Sequence, residues 1–260
     1  MSDPNRDTAA HFSRRAEAYA ESPSHARGAD LEIVAGFAAP GPHDRCLDIA
    51  CGPGHTALRM AREAGLVIAA DIAPGMLATA RRLAAERGLD NLRVLGADAA
   101  ALPFADAGPG AGFDLVTCRI APHHFADVPG FLAEVARVLV PAGRFVLEDS
   151  LAPEDPETAA FLEDLEKRRD PTHRHSLSDA EWRAALHDAG LRITAETVWA
   201  KRHEFALWVG RAGLGAAEIA ALEARVLGAP AAVREALFEI EADAVRALHD
   251  RKVIFRAERA

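Results

Sequence analysis

Leu-Asp-Ile-Ala-Cys-Gly-Pro-Gly, residues 47–54, is the stretch on which the reading of this chain turns. Cys46, Leu47 and Ile49 make an apolar strand around Asp48, two glycines follow, and residues 56–63 read as helix. A strand, a glycine turn and a helix in this order bind a ligand at the strand's carboxyl end, where the helix N-terminus and unencumbered backbone face it. Two cofactor classes use such a unit. Gly52, Gly54 and Ala57 satisfy G-x-G-x-x-A, the dinucleotide fingerprint, and Asp71 lies 19 residues beyond Gly52 (71 − 52). Asp48 argues the other way, because a carboxylate there repels a pyrophosphate and suits a ligand that presents an ammonium group.

Working outward, residues 66–70 are apolar and end in Asp71, and residues 92–95 are apolar and run into Gly96-Ala97-Asp98. Residues 113–117 open into Cys118-Arg119-Ile120-Ala121-Pro122-His123-His124-Phe125, and residues 144–147 end in Glu148-Asp149. Between them, segments such as 76–87 and 131–139 carry apolar residues at i, i+3, i+4 spacing. This alternation predicts an α/β fold, a doubly wound parallel sheet with right-handed crossovers. Every polar cluster then falls at a strand's carboxyl end, the one edge where such sheets bind ligands. Three carboxylates, Asp48, Asp71 and Asp98, end three successive strands there. Asp71 is placed to take a ribose diol, and as a strand-end residue it is expected to matter little to stability. Local readings stay open for two of them: Asp71 would also cap the helix that begins at Pro74, and Asp98 would serve as a turn residue before Leu102-Pro103.

The same residues resemble the class I S-adenosylmethionine-dependent methyltransferases. The resemblance rests on residues 47–55, the acidic end at Asp71, Gly96-Ala97-Asp98 with Leu102-Pro103-Phe104, Phe113-Asp114, and the run from Arg137-Val138-Leu139 to Gly143-Arg144. Within that family the chain is most similar to the small-molecule branch that contains the ubiquinone/menaquinone-biosynthesis C-methyltransferases. Residues 118–125 and Arg168-Arg169-Asp170-Pro171-Thr172-His173 resemble a group of largely uncharacterised bacterial members. The likeness covers roughly residues 10–150 and is specific for the cofactor, not the acceptor. One departure is Ala50, where many members carry the first glycine of the loop.

The resemblance implies a seven-stranded, Rossmann-like methyltransferase sheet with helical additions forming a lid over the cofactor edge. It implies methyl transfer from S-adenosylmethionine to a small-molecule acceptor, leaving S-adenosylhomocysteine. Asp48 and the backbone at Ala50, Gly52 and Gly54 would hold the amino-acid end, and Arg119 would pair with the methionine carboxylate or with Asp48. Asp71 would accept both ribose hydroxyls, Ile72 and Met76 would line the adenine slot, and Asp98, with the Ala99 backbone, would take the adenine amine. Tyr19, His25 and His124 complete the expected cofactor set. His123 and His124 follow the fourth strand, the position nearest the transferred methyl in the family, and are the candidate catalytic residues. His123 is expected to face the acceptor and His124 to support the cofactor side; the alternative is a structural pair. A histidine base works only when neutral.

Composition bounds the rest. A formal net charge of −9 and a pI near 5.7 argue against a nucleic-acid partner, whose phosphates demand basic surface. Cys46, Cys51 and Cys118 read as small buried residues, neither disulfides nor metal ligands. Residues 1–10 are polar without a signal-peptide core, and no run approaches the length of a membrane span, so a cytoplasmic protein, monomer or homodimer, is expected. Two other functional classes stand beside methyl transfer: a nicotinamide-dependent oxidoreductase, disfavoured by Asp48 and Asp98, and an inert S-adenosylmethionine-binding regulator.

One methyltransferase domain is expected over residues 1–260. Residues 1–40 form an N-terminal helical cap, in two pieces broken at Pro23, and 41–150 the cofactor-binding core. Residues 151–190 form the lid and substrate region: a helix over 157–169, a break at Asp170-Pro171, and a capping box, Ser178 with Glu181, before a helix closed by Gly190. In 191–260, strands at 191–199 and 252–256 pair with the last one antiparallel and inserted, interrupted by helix over 204–250. The lid and insertion show few strong apolar anchors and are expected to be mobile. A second polar set, Asp170, His173, Arg174 and His175, lies in the lid, where it orients an acceptor, acts as base, or is a solvated loop. Asp170, His173, Trp208 and Arg211 are the substrate-binding candidates. Metal binding by His173 and His175 lacks a local third ligand, so no metal is expected. Of Trp182, Trp199 and Trp208, at least one is expected to touch the substrate cavity.

Overall fold

Strands that are apolar on both faces belong between two helical layers, and the apolar runs fold in that way. The structure, a computed structural model, describes residues 4–108, 110–210 and 212–259. The candidate Arg211 lies outside the described residues. Five strands, β1 (Arg45–Ile49), β2 (Leu66–Asp71), β3 (Leu92–Gly96), β4 (Phe113–Arg119) and β5 (Leu139–Leu151), pair in parallel. β6 (Leu191–Glu204), β7 (Phe238–Glu241) and β8 (Ala244–Arg259) follow, and β8 inserts antiparallel between β5 and β6. The order is β3-β2-β1-β4-β5-β8-β6, with β7 as an eighth strand paired to β8.

The described residues before β1 form four helices, α1 (Pro4–Ser13), α2 (Ala16–Glu21), α3 (Pro23–Ala26) and α4 (Ala29–Ala38), where two pieces were expected. Pro23 does begin a helix, at its first turn, but further breaks fall at Arg15 and at Gly28, both in non-helical backbone. α4 joins α5 (His55–Met60) and α6 (Pro74–Glu86) on one face of the sheet, around Val34, Leu58, Met60, Leu115 and Ile254. The opposite face is covered by α7 (Val128–Val138) and α9 (Asp179–Asp188), with Phe131, Leu132, Trp182 and Leu186 packed on Leu47, Phe145 and Phe255. The capping box that starts α9 is formed: Ser178 Oγ accepts from Glu181 N (3.3 Å) and the Glu181 carboxylate accepts from Ser178 N (2.8 Å).

Two expectations about the additions are corrected. Helix does not persist to residue 250. After α10 (Phe205–Gly210), α11 (Ala216–Leu227) and α12 (Ala231–Leu237), the chain turns into the β7–β8 hairpin. Ala242 and Asp243, both with positive φ (48° and 59°), supply the tight turn whose twist matches paired strands. Nor does the insertion lack anchors. Leu162 and Leu165 of α8 (Pro156–Arg169) pack with Phe205, Trp208, Val226, Val233, Phe238 and Leu248 into a separate buried cluster. These residues are scattered in sequence, and only the close of the hairpin brings them together. Backbone exchange in α10–α12 is therefore expected to be slow even in the free protein.

Candidate active site

The loop after β1 has three left-handed residues, Ala50 (φ 51°), Gly52 (φ 55°) and Gly54 (φ 90°). Ala50 fills the position of an expected glycine at a cost of roughly 1–2 kcal/mol of backbone strain. Gly54 does not line the cavity. It caps α5, and a Cβ there would lie 3.0 Å from Ala80 Cβ of α6, so its absence of a side chain lets loop and helix approach. Gly54→Ala is expected to lower stability by about 1–3 kcal/mol in urea unfolding; an unchanged midpoint would mean that the loop relaxes freely.

Along the carboxyl edge runs a cavity of about 450 Å³, and Asp48, Asp71 and Asp98 all line it. Asp48 is 1% exposed and accepts from Ala57 N (3.0 Å) and Thr117 Oγ1 (2.7 Å). Burial pushes its pKa up to about 7, and an ammonium beside it would favour the ionised form. Asp71 accepts from Gly52 N and Ala73 N, each at 2.8 Å, and burial raises its pKa too. Asp98 accepts from Asn5 Nδ2 (2.6 Å) and Ala100 N (3.0 Å). The cap and turn readings thus hold together with the cavity placement, since one carboxylate serves its turn and still edges the cavity. Ile72, Met76 and Phe12 add apolar lining to the cavity that Asp71 and Asp98 edge, and Ala50, Gly52, Ala99, Tyr19 and His25 line the same space. An amino-acid head, a ribose diol and an adenine amine each need an acceptor at one point, and this edge supplies three in a row with apolar lining for the base.

Arg119 departs from expectation. Its Nη1 donates to Asp30 Oδ2 (2.5 Å), Nη2 to the His25 carbonyl (2.6 Å) and Nε to Thr56 Oγ1 (3.0 Å). Its carboxylate partner is Asp30 of α4, not Asp48, so the arginine ties the helical cap to β4 while lining the cavity. Beside it Glu148 is fully buried, neither carboxyl oxygen has a hydrogen-bond partner among the described residues, and Arg119 Nη1 stands 3.9 Å away. Burial raises the Glu148 pKa to about 8. An unfolded glutamate ionises near 4.3, so between those values the native state holds the extra proton and stability falls as pH rises. The loss is expected to reach at most about 1.4 kcal/mol per pH unit, and Glu148→Gln is expected to flatten it. Parallel melting curves for the two proteins from pH 5 to pH 9 would sink this account.

His123 and His124 sit on a 3-10 turn (Pro122–His124) after β4. His123 Nδ1 lies 2.5 Å from Asp149 Oδ1, and its backbone N–H donates to Asp149 Oδ2 (2.9 Å). The carboxylate so fixes both ring and backbone, and leaves Nε2, which has no partner among the described residues, on the cavity side. His124 packs on it at 4.1 Å between ring centroids, meets Phe12 edge-on at 4.9 Å and shares a hydrogen bond with Thr172 Oγ1 (3.1 Å). Burial drives the His124 pKa well below its ordinary value, so this ring is neutral.

The lid's polar set divides. Arg174 N and His175 N donate to the His123 carbonyl (2.8 and 3.2 Å), strapping the loop over the turn. Asp170 and His173 line the cavity, Asp170 bonded to Thr172 Oγ1 (2.6 Å) and His173 Nε2 to Glu163 (3.1 Å). The His175 side chain is 55% exposed and reaches Glu163 and Glu181 at 3.6 Å, outside the cavity. Trp208 lines the cavity with the Arg169 guanidinium 4.6 Å over its ring, whereas Trp182 is in the core. Among the described residues no group of His, Cys, Asp or Glu is arranged to hold a metal, and no helix is long and apolar enough to cross a membrane.

Sequence reading missed the far half of the cavity. Ser150, Glu166, Arg169, Lys201, His203, Asp250 and Lys252 line it as well. Their one sequence signal was spacing: Lys201 with His203 and Asp250 with Lys252 are two apart, and Glu166 with Arg169 three apart.

A family profile described as a methyltransferase domain matches residues 47–147. The uncharacterized methyltransferase YcgJ of Bacillus subtilis is 38% identical over 202 residues, spanning 78% of this chain and 78% of its own. The crystal structure of YcgJ superposes with a TM-score of 0.83 at 31% identity, covering 88% of this chain and 97% of that one. A demethylmenaquinone methyltransferase of Thermus thermophilus is 48% identical over 105 residues, 40% of this chain and 46% of its own. A geranyl diphosphate methyltransferase solved with S-adenosylmethionine shares the fold, with a TM-score of 0.61 at 16% identity and 92% coverage of both chains. The nicotinamide alternative falls with these matches. With its strand order, its row of carboxylates and these relatives, the chain belongs to the class I S-adenosylmethionine-dependent methyltransferases.

Proposed function

We propose that the chain methylates a small molecule bound in the far half of the cavity, with His123 taking a proton from the acceptor and Asp149 positioning His123. The observation that carries this reading is the Asp149–His123 pair, with Nε2 open to the cavity beside the expected cofactor site. Bound S-adenosylmethionine supplies a methyl group on a positively charged sulfur, open to in-line displacement. Asp48, Asp71 and Asp98 hold and orient that cofactor, and alignment is worth more here than any covalent help from the protein. His123 Nε2 accepts the proton that an O–H, N–H or activated C–H sheds as it becomes a nucleophile. Asp149 keeps Nδ1 protonated, which leaves Nε2 as the basic nitrogen. Phe12, His124 and the 172–175 strap close over the turn and exclude water.

The test is to incubate the protein and cell extract with isotope-labelled cofactor and find the labelled product by mass spectrometry. A labelled small molecule is the expected result; label confined to protein or nucleic acid would overturn the reading. A protein that binds S-adenosylhomocysteine yet labels nothing would instead be the inert regulator. Against the regulator stands the cavity itself, which continues past the cofactor edge with polar groups that a bound cofactor does not reach.

A further inference from the structure

Strand register arranges that far half. Asp48 stands opposite Thr117, Arg119 opposite Glu148, Ser150 opposite Lys252, and Lys201 opposite Asp250. Residues two apart on a strand share a face, so these pairs, with His203 beyond Lys201, make one polar row from β1 to the edge strand β6. The end of the row is a built site. Lys252 and Asp250 are each only 6% exposed; Lys252 Nζ donates to Asp250 Oδ2 (2.6 Å) and Ser150 Oγ (2.5 Å), and His203 Nε2 lies 2.9 Å from Asp250 Oδ1. An ammonium has three donors and two are used here, which leaves one for a ligand.

Donors and distance say what that ligand is. Arg119 and Lys201 are paired with Asp30, and Lys252 with Asp250. Because Ser150 Oγ accepts from the Lys252 ammonium, the third ammonium N–H and the Ser150 hydroxyl hydrogen are two donors side by side, which the two oxygens of a carboxylate match. The cofactor's own carboxylate does not fill this place. β8 is three strands from β1, about 14 Å at ordinary strand spacing, whereas that carboxylate lies within a few ångströms of the ammonium expected at Asp48. In the same cavity the Arg169 guanidinium stands 4.6 Å over the Trp208 ring, with Nε and Nη2 on Glu166.

We infer that the row's end recognises the acceptor, and that the acceptor is a small molecule bearing a carboxylate. The carboxylate seats on Lys252 and Ser150, its body lies along the Arg169–Trp208 wall, and the atom to be methylated points back towards His123. The inference rests on the methyl-transfer reading above and adds the chemistry of the acceptor to it.

The test uses the whole chain saturated with S-adenosylhomocysteine and matched pairs of small aromatic and aliphatic carboxylates and their carboxamides, from benzoate and benzamide upward. Ligand-observed NMR followed by calorimetry is expected to show the acids binding at least about tenfold tighter than the amides. In Lys252→Met that preference is expected to shrink to within about twofold, with S-adenosylhomocysteine affinity unchanged. Because the single change leaves Asp250 buried without its cation, the double variant Lys252→Met/Asp250→Asn removes both charges together and serves as the folded reference. Acids and amides binding alike, no carboxylate bound at millimolar concentration, or a preference that survives in both variants would each overturn the inference. Failure of S-adenosylhomocysteine itself to bind would overturn the methyl-transfer reading instead.

Discussion

His123→Ala is expected to slow single-turnover methyl transfer by about 10²–10⁴-fold with cofactor saturating, the range for removing a positioned general base. Asp149→Asn is expected to cost about as much. An amide has one acceptor oxygen for the two donors, so either the His123 backbone N–H loses its acceptor or the tautomer with a basic Nε2 is no longer favoured. Asp149 acts through the ring, so its loss should cost nothing further in a protein that already lacks His123. His124→Ala, by contrast, removes a neutral ring packed on Phe12 and Thr172, and should chiefly weaken cofactor binding. Rates unchanged in both His123→Ala and Asp149→Asn would mean that the acceptor arrives already ionised or needs no base.

The second large effect is at Asp71. Asp71→Ala is expected to weaken S-adenosylmethionine binding by about 1.5–3 kcal/mol, the scale of hydrogen bonds to a charged group. From sequence alone a strand-end carboxylate looked removable at little cost in stability. The structure says otherwise: both oxygens take backbone donors, Gly52 N and Ala73 N, and the residue is 8% exposed. Losing it strands two N–H groups and frees the glycine loop, so unfolding free energy should also drop by about 1–3 kcal/mol. Calorimetry separates the two effects: an unchanged dissociation constant in a destabilised protein would make Asp71 a loop brace only.

What the sequence determined is local. A strand ending in an acid, glycines that permit positive φ and an amphipathic helix after them lie within about twenty residues of one another, so Asp48, Asp71, Asp98 and the parallel sheet could be read directly. His123 was legible as well, because a residue just past a strand's carboxyl end has nowhere to go but the ligand edge. Its partner was not. Asp149 is 26 residues away and meets His123 only because β4 and β5 are neighbours in the sheet. The ion-pair partner of Arg119 was not legible either: Asp30, 89 residues distant, meets it once α4 packs against β5. The acceptor end depended wholly on tertiary structure. Lys252 and Ser150 are 102 residues apart, and they share a face because β8 enters antiparallel at one particular register. That register is set by burying Val253, Ile254 and Phe255 and satisfying their backbone groups between two strands, a balance over the whole sheet that no local pattern records.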